Sequence, residues 1–296
     1  MKLMILDIFM YAKVNLLLLI GLLIMTLPLT AGNKTISFIS NDWCPYICSK
    51  NGKLADPPGF VWEIVEAAMT SQGYQLSYTD MPYSRAIKEA RKGQFQGIVG
   101  VYKSEIPDFI FHEINVGEAY LCFFSTDEKW SYRGIQSLDQ QTLGVVASYR
   151  FSREIDDYIG RNQSDPKRIF RAHGANPLPQ LLEMLRQKRI SLLLDDMYVT
   201  HLMMTRIQIE GIYQRQCLTP GRLFVGFSPG IQGSKTLADD LDRGLQLLKD
   251  KGAFTKIVRS YVPELNPLVV EDSATHSEAQ PVTKNNETRH QQYFKK

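Results

Sequence analysis

The chain has 296 residues, 44% of them hydrophobic, and a formal net charge of +3 to which Lys2, Lys13 and a basic chain end contribute. A near-neutral balance, with no Lys/Arg runs interleaved with aromatics, excludes a nucleic-acid-binding surface. Setting aside the first thirty or so positions leaves roughly 260 residues, more than one core of about 100–200 residues holds, so two lobes are expected.

Residues 1–32 read as an export signal: Lys2 and Lys13 precede the apolar run from Val14 to Leu29, and the small residues Thr30, Ala31 and Gly32 follow. The rival is a retained anchor, but the run holds Asn15, Gly21 and Pro28 and falls short of the roughly 20 apolar residues a span requires. The mature chain is therefore expected in the periplasm. A strand from Thr35 to Ser40 leads into an aromatic turn at Trp43 to Cys48. Val61, Ile64, Val65 and Ala68 recur at helical spacing, and Gly73 stops that helix. Tyr74 to Tyr78, Ser84 to Arg91 and Gly97 to Val101 continue as strand, helix and strand, giving β-α-β-α-β and hence a parallel sheet under helices.

The alternation restarts with a strand at Thr142 to Ala147, a helix at Ser152 to Ile159 and a strand at Arg168 to Arg171. A helix from Leu178 to Gln187, a strand from Ile190 to Leu194 and a helix from Tyr198 to Ile207 follow. A strand at Leu223 to Phe227, a helix carrying Leu237, Leu241, Leu245 and Leu248 on one face, and a last helix from Phe254 to Tyr261 close the fold. The expected division is a first lobe over 33–120, a second over 121–222 and a return to the first over 223–265, with hinge crossovers near Tyr120 to Ser125 and Leu223 to Phe227. Residues 266–296 lose all periodicity and read as a disordered polar tail.

Export places the four cysteines where disulfides persist. Cys44 and Cys48 can be bridged if Pro45 and Tyr46 turn the chain, whereas a zinc site lacks a second ligand pair. Cys122, within an apolar run, reads as an inert buried thiol. No metal or cofactor is expected, as no metalloprotease, phosphate-loop or dinucleotide motif occurs. The stretch Gly226-Phe227-Ser228-Pro229-Gly230 has the form of a hydrolase elbow, but Pro229 lacks the N–H an oxyanion hole needs, and the only later histidines, His276 and His290, fall in the tail.

A better constellation gathers at the carboxyl ends of the expected strands, where open α/β sheets hold ligands. Trp43 and Tyr46 follow the first strand, Tyr83 and Arg85 the second, and Tyr102 with Lys103 the third. In the second lobe Ser148, Tyr149 and Arg150 follow one strand, and Asp195 with Asp196 another. Arg85 lies in the first turn of its helix, where the macrodipole disfavours a cation; it either faces a ligand carboxylate or pairs with Glu89. Asp196 is either a ligand contact or the N-cap of the next helix.

The order of segments resembles the family 3 extracellular solute-binding proteins, the amino-acid-type periplasmic receptors of ABC transporters, over about Ile36 to Leu265. The carriers are Trp43-Cys44-Pro45-Tyr46, Gly59 to Val65, Arg91 to Ile98, Leu143 to Val146, Leu185 to Ile190 running into Asp196, and Leu247 to Gly252. The resemblance implies an α/β, two-lobed type II periplasmic-binding fold that closes on a small polar solute through its hinge. It implies a monomer delivering that solute to an ABC permease or a membrane sensor, and a receptor rather than an enzyme. It also implies that Asp196 receives a ligand amino group. Two departures make the branch divergent: Ile106 stands where the family places a carboxylate-binding arginine, and Ser148-Tyr149-Arg150 replaces a G-T-T segment. Pro82-Tyr83-Ser84-Arg85 resembles the P-W-x-R stretch of such a branch, whose members mostly have unclear ligands, so an unmodified α-amino acid is not the expected solute, and the expectation of a carboxylate rests on Arg85. The alternatives are a dehydratase on the same fold, with Glu113, Glu118 or Asp196 as acid, and an interaction protein without a small ligand, favoured if side chains fill the cleft.

Overall fold

A computed structural model describes residues 34–147, 149–174 and 177–261; the expected export signal, Ser148 and the polar tail lie outside the described residues. Within that range no helix is long and apolar enough to cross a membrane.

The first half of the chain runs β1 (Lys34–Ser40), a small hairpin β2 (Ser49–Lys50) and β3 (Lys53–Leu54), α1 (Phe60–Ser71), β4 (Tyr74–Asp80), α2 (Tyr83–Arg91), β5 (Gly97–Val101), β6 (Ile110–Phe111) and β7 (Gly117–Ala119). The second lobe follows with β8 (Leu121–Ser125), β9 (Leu143–Val146), α3 (Arg153–Asn162), β10 (Ile169–Ala172), α4 (Pro177–Arg186), β11 (Leu192–Asp196), α5 (Met197–Arg206) and β12 (Tyr213–Cys217). The chain then returns through β13 (Gly221–Phe227), α6 (Ser234–Asp250) and α7 (Ala253–Tyr261). One sheet has the order β4-β1-β5-β13-β6, with β7 also on β13; the other has β10-β9-β11-β8-β12. In each, three parallel strands carry the α/β unit and the remaining strands run antiparallel.

Side-chain alternation explains how the second sheet is covered. Leu193 of β11 joins the cluster that includes Leu181, Leu182 and Met197, whereas Leu192 and Leu194 point to the opposite face with Phe123, Ile155 and Ile159. The first of these clusters is continuous with the core of the other lobe, which α1 supplies with Phe60, Val61, Trp62, Ile64 and Val65. Helix α1 crosses α6 at Gly244, where a Cβ would stand 2.3 Å from the Ala68 carbonyl oxygen, so only glycine permits the approach.

Of the two expected crossovers the first falls at Tyr120, within the expected stretch, and the second lies ahead of Leu223 to Phe227. Strands β8 and β13 each lie wholly within one sheet; the chain changes lobe at Tyr120 and at residues 218–220. The two connections run side by side, with Ala119 opposite Gly221 and the Leu218 N–H donating to the Leu121 carbonyl at 2.8 Å. Just beyond, on the second-lobe side, Cys122 and Cys217 form a disulfide, which corrects the reading of Cys122 as an inert thiol. Strand β12 carries the polar sequence Tyr-Gln-Arg-Gln-Cys and gave no apolar alternation, so nothing in the sequence placed Cys217 beside Cys122. Cys44 and Cys48 form the second disulfide.

The Cys122–Cys217 bridge spans 95 residues and the Cys44–Cys48 bridge 4. In the chain-entropy view the long loop constrains the unfolded state far more. Replacing Cys122 and Cys217 by serine is expected to lower the unfolding free energy by about 2–4 kcal/mol, and replacing Cys44 and Cys48 by less. Urea denaturation of both double variants measures this; equal losses would contradict the ranking.

Candidate functional site

The site starts from the turn after β1. The Trp43 N–H donates to the Ile47 carbonyl at 2.8 Å, the Tyr46 and Ile47 N–H groups both donate to the Trp43 carbonyl, and the Cys44–Cys48 disulfide closes the turn. No side chain caps α1. Instead the Pro45 and Tyr46 carbonyls accept from the Phe60 and Val61 N–H groups at 3.0 and 2.9 Å, satisfying orphan donors of the first helical turn. Gly59 makes this possible: its φ is 97°, and a Cβ there would come within 2.5 Å of the Tyr46 carbonyl oxygen. The Tyr46 ring, fully buried, stacks on Trp43 at 4.1 Å between centroids and tilts against Phe60 at 4.8 Å.

From that position Tyr46 reaches across to the other lobe. Its hydroxyl donates to Asp196 Oδ2 at 2.7 Å. Asp196 ends β11 and caps α5, with Oδ1 accepting from the Tyr198 and Val199 N–H groups at 3.0 and 3.1 Å. Oδ2 also accepts from the backbone N–H of the hinge residue Tyr120 at 3.2 Å, and the Tyr120 carbonyl accepts from the Met197 N–H at 2.8 Å. Four donors thus use the roughly four lone-pair directions of one carboxylate. Burial still pushes its pKa up to about 6, against the opposing pull of these hydrogen bonds. Asp195, fully buried, is pushed by burial up to about 8, with the neighbouring Asp196 charge adding to the rise. Its Oδ1 accepts from the Asp196 N–H at 2.6 Å.

Rings surround the pair. Tyr198 meets Tyr46 at 5.7 Å, Phe60 at 5.9 Å and Tyr120 at 5.8 Å, and the Tyr120 hydroxyl donates to Glu118 at 2.7 Å. Tyr149 of the second lobe and Tyr102 of the first are half-buried; burial raises both hydroxyl pKa values, and both feel the Asp196 charge. Tyr102 lies over Gly221, the first residue of β13, whose missing side chain leaves room for the ring. The Tyr83 hydroxyl donates to Glu105, next to Tyr102 in the field of the same carboxylate.

Of the residues singled out in the sequence, Trp43, Tyr46, Tyr102, Tyr149 and Asp196 gather here, with Tyr83 at the edge. The arginines do not. Arg85 is in the first turn of α2 and exposed, and Glu89 pairs with Lys92 at 3.2 Å rather than with it. Arg150 is also exposed. Asp196 is an N-cap, and a ligand amine could use it only by displacing one of its four donors. Phe60, Tyr120 and Tyr198 were not among the expected ligand contacts, each sitting at an element boundary where helical or strand periodicity reads as core or hinge, and Glu118, expected only as a candidate acid, lies mid-strand in β7. Ser228 of the elbow-like stretch is buried and serves a turn, its Oγ accepting from the Gly230 N–H at 3.1 Å. Buried His112 accepts from the Val225 N–H at 2.9 Å through Nε2, and burial depresses its pKa to about 4.

The architecture matches solved structures. The probable amino-acid ABC transporter extracellular-binding protein YtmK of Bacillus subtilis superposes with a TM-score of 0.61 at 14% identity, covering 78% of this chain and 99% of that one. The chain has the type II periplasmic-binding fold. Substrate binding domain 2 of GlnP from Lactococcus lactis, in an open conformation, gives 0.57 at 17% identity over 80% and 99% of the two chains. A histidine kinase sensor domain with similarity to periplasmic binding proteins gives 0.59 at 16% identity over 79% and 99%. No family model and no curated protein matches the sequence. These neighbours are binding and sensor domains rather than enzymes.

The raised carboxyl pKa values set a sign for pH dependence. Unfolded aspartates titrate near pH 4, so folding favours the protonated forms. The stability this contributes is full below about pH 4, and it is lost as pH rises through about 6 for Asp196 and about 8 for Asp195. Unfolding free energy from urea titrations is expected to fall between pH 5 and 8, and Asp195→Asn to flatten the upper part of that fall. Parallel slopes in the two proteins would refute the assignment.

Proposed function

We propose that this protein is exported to the periplasm and captures a small polar, carboxylate-bearing solute by hinge closure, for ABC-type uptake or for sensing. The observation that carries the reading is the Tyr46–Asp196 hydrogen bond at 2.7 Å, which joins the lobes inside an aromatic wall and ties the same carboxylate to the hinge N–H of Tyr120. A cleft whose closure buries tyrosines and carboxylates together is suited to desolvating a small solute and fixing its polar groups. Neighbours of the same fold are named as amino-acid transporter and kinase sensor domains, which supports both destinations. Arg85 is exposed on the first turn of α2, outside the gathered rings and carboxylates, so the carboxylate part of the reading rests on its place after a strand and on its planar fork.

A thermal-shift screen of the protein against amino acids, amines, organic acids and short peptides, repeated with Arg85→Ala, tests this. A ligand that raises the melting temperature in a concentration-dependent way is expected, with a weaker effect in the variant when the ligand bears a carboxylate. Unchanged carboxylate binding in Arg85→Ala would remove that residue from the site.

One observation favours a second reading. Tyr46 is fully buried and Asp196 takes four protein donors, so the chain's own side chains fill part of the cleft, as an interaction protein without a small ligand would allow. Tyr46→Phe separates the two. For a receptor, losing the cross-lobe hydrogen bond is expected to increase the radius of gyration in small-angle scattering, and a ligand to reverse the change. For a scaffold the variant is expected only to lose about 1.5–3 kcal/mol of stability, the worth of a hydrogen bond to a charged group.

A further inference from the structure

Strand β13 brings the chain back into the first lobe, and its pairing is interrupted on both edges at one place. Toward β5, Phe224 stands opposite Val101 and Val225 opposite Val99, so Gly100, at φ 79°, is left out of the ladder as a bulge. On the other edge β7 pairs with Gly221 to Leu223 and β6 with Gly226 and Phe227, and neither reaches the two residues between. With no strand there to accept it, the Val225 N–H turns to a side chain. Buried His112, in the segment that joins β6 to β7, accepts it at Nε2 at 2.9 Å.

That bond fixes the state of the ring. A backbone N–H can only donate, so Nε2 must be bare and the neutral imidazole carries its proton on Nδ1. Nδ1 has no hydrogen-bond partner among the described residues. Asp242 Oδ1 of α6 stands 3.8 Å from it, already taken by the Glu113 and Ile114 N–H groups of the segment that carries the ring. Burial opposes a charge on the ring most strongly; Asp242 and the Ile114 backbone favour one, and Lys103, after β5, opposes it. Lys103 Nζ lies 4.2 Å over the ring of Phe224, which His112 also meets at 5.4 Å, and Phe227 stands at 6.4 Å. Glu113, next in the chain, is exposed.

We propose that His112 is an acid-operated switch in the return strand: neutral, it holds Val225 across the gap between β7 and β6, and protonated, it lets the strand go. In the protonated ring both nitrogens are donors, so Nε2–H meets the Val225 N–H head on and the bond cannot persist. The stretch affected begins at Gly221, over which Tyr102 lies, and sets Arg222 opposite Glu118, so the change reaches the first-lobe edge of the cleft. It does not depend on what the cleft binds. The sign follows from burial. The folded ring takes up its proton only near pH 4 and a free histidine near pH 6.5, so the stability this ring contributes is complete above about pH 6.5 and is lost as pH falls toward 4. The aspartates at the end of β11 act in the opposite sense, acid favouring the folded form, so a loss confined to β13 is not theirs.

The test is amide hydrogen exchange of the whole protein at pH 7 and pH 5, with each rate referred to that of an unstructured peptide at the same pH. If opening lets the ring titrate as a free histidine does, the protection of the Val225 amide is expected to fall about twentyfold between the two pH values. Amides of β9 and β11 in the other sheet are expected to lose none. Long-range proton–nitrogen spectra at pH 7 are expected to show a neutral His112 ring with its hydrogen on Nδ1. His112→Gln offers an amide oxygen that accepts at either pH, and is expected to keep Val225 protected and abolish the drop. His112→Phe offers no acceptor, and is expected to leave Val225 unprotected at both; should it fail to fold, the comparison of the wild type with His112→Gln still decides. Val225 protection that is the same at pH 7 and pH 5 in the wild type overturns the proposal. So does a drop as large in His112→Gln, or a loss shared equally by β9 and β11.

Discussion

The structure is organised around one buried carboxylate that must be satisfied by groups from three directions. Asp196 takes two N–H donors from its own helix, one from the hinge at Tyr120 and one hydroxyl from the other lobe. Each direction fixes something. The helix donors set where β11 ends and α5 begins, the Tyr120 donor pins the pivot to the end of the strand, and the Tyr46 donor fixes how far the lobes approach. A buried charge of this kind is tolerable only when its hydrogen bonds are complete, because removing one leaves part of the desolvation penalty uncovered. The contact between lobes therefore tolerates little variation in its position.

That demand explains features which look unrelated in sequence. Tyr46 has to arrive from a short turn with its ring already oriented, and the turn has three independent restraints: the Cys44–Cys48 bridge, the stacking on Trp43, and the anchoring of its carbonyl by the first turn of α1. The last requires Gly59, since any side chain there would collide with the carbonyl being anchored. On the far side Tyr198 closes the ring wall from the same helix whose N-terminus Asp196 caps, so cap and wall are positioned by one event.

Much of the fold is legible in the sequence, since it follows from periodicity. The runs at Gly97 to Val101 and Leu192 to Leu194, and the helical faces of α1 and α6, are long and apolar enough to declare themselves. Elements without such a signal were not legible. Strand β12 is polar, β2, β3 and β6 have two residues each, and β7 has only three; with β12 went the partner of Cys122 and the location of the second crossover. The aromatic members of the site were visible because they follow strands of an open α/β sheet. The arginines looked equally good on that rule but face solvent, because position after a strand says which end of the sheet a residue occupies and not which way its side chain turns. Telling Asp195 from Asp196 was beyond sequence altogether: both are acids at the end of the same apolar strand, and only the count of donors around each separates them.

The Cys122–Cys217 disulfide stands beside the passage of the chain between the two sheets. Cys122 and Cys217 join the two connecting strands just inside the second lobe, and the Leu218 to Leu121 hydrogen bond continues the pairing to the brink of the crossover. On the first-lobe side β7 and β13 are paired up to Ala119 and Gly221. Between these paired stretches lie Tyr120 on one strand and residues 218–220 on the other, the short segments by which the chain passes between the sheets. Tyr120 is not idle within that segment: its N–H holds Asp196, its carbonyl holds Met197, and its hydroxyl holds Glu118. Tyr120 therefore holds the same carboxylate that Tyr46 grips from the other lobe. Pivot and cleft are thus linked through one side chain, and a change at either end must be felt at the other, without any longer chain of contacts between them.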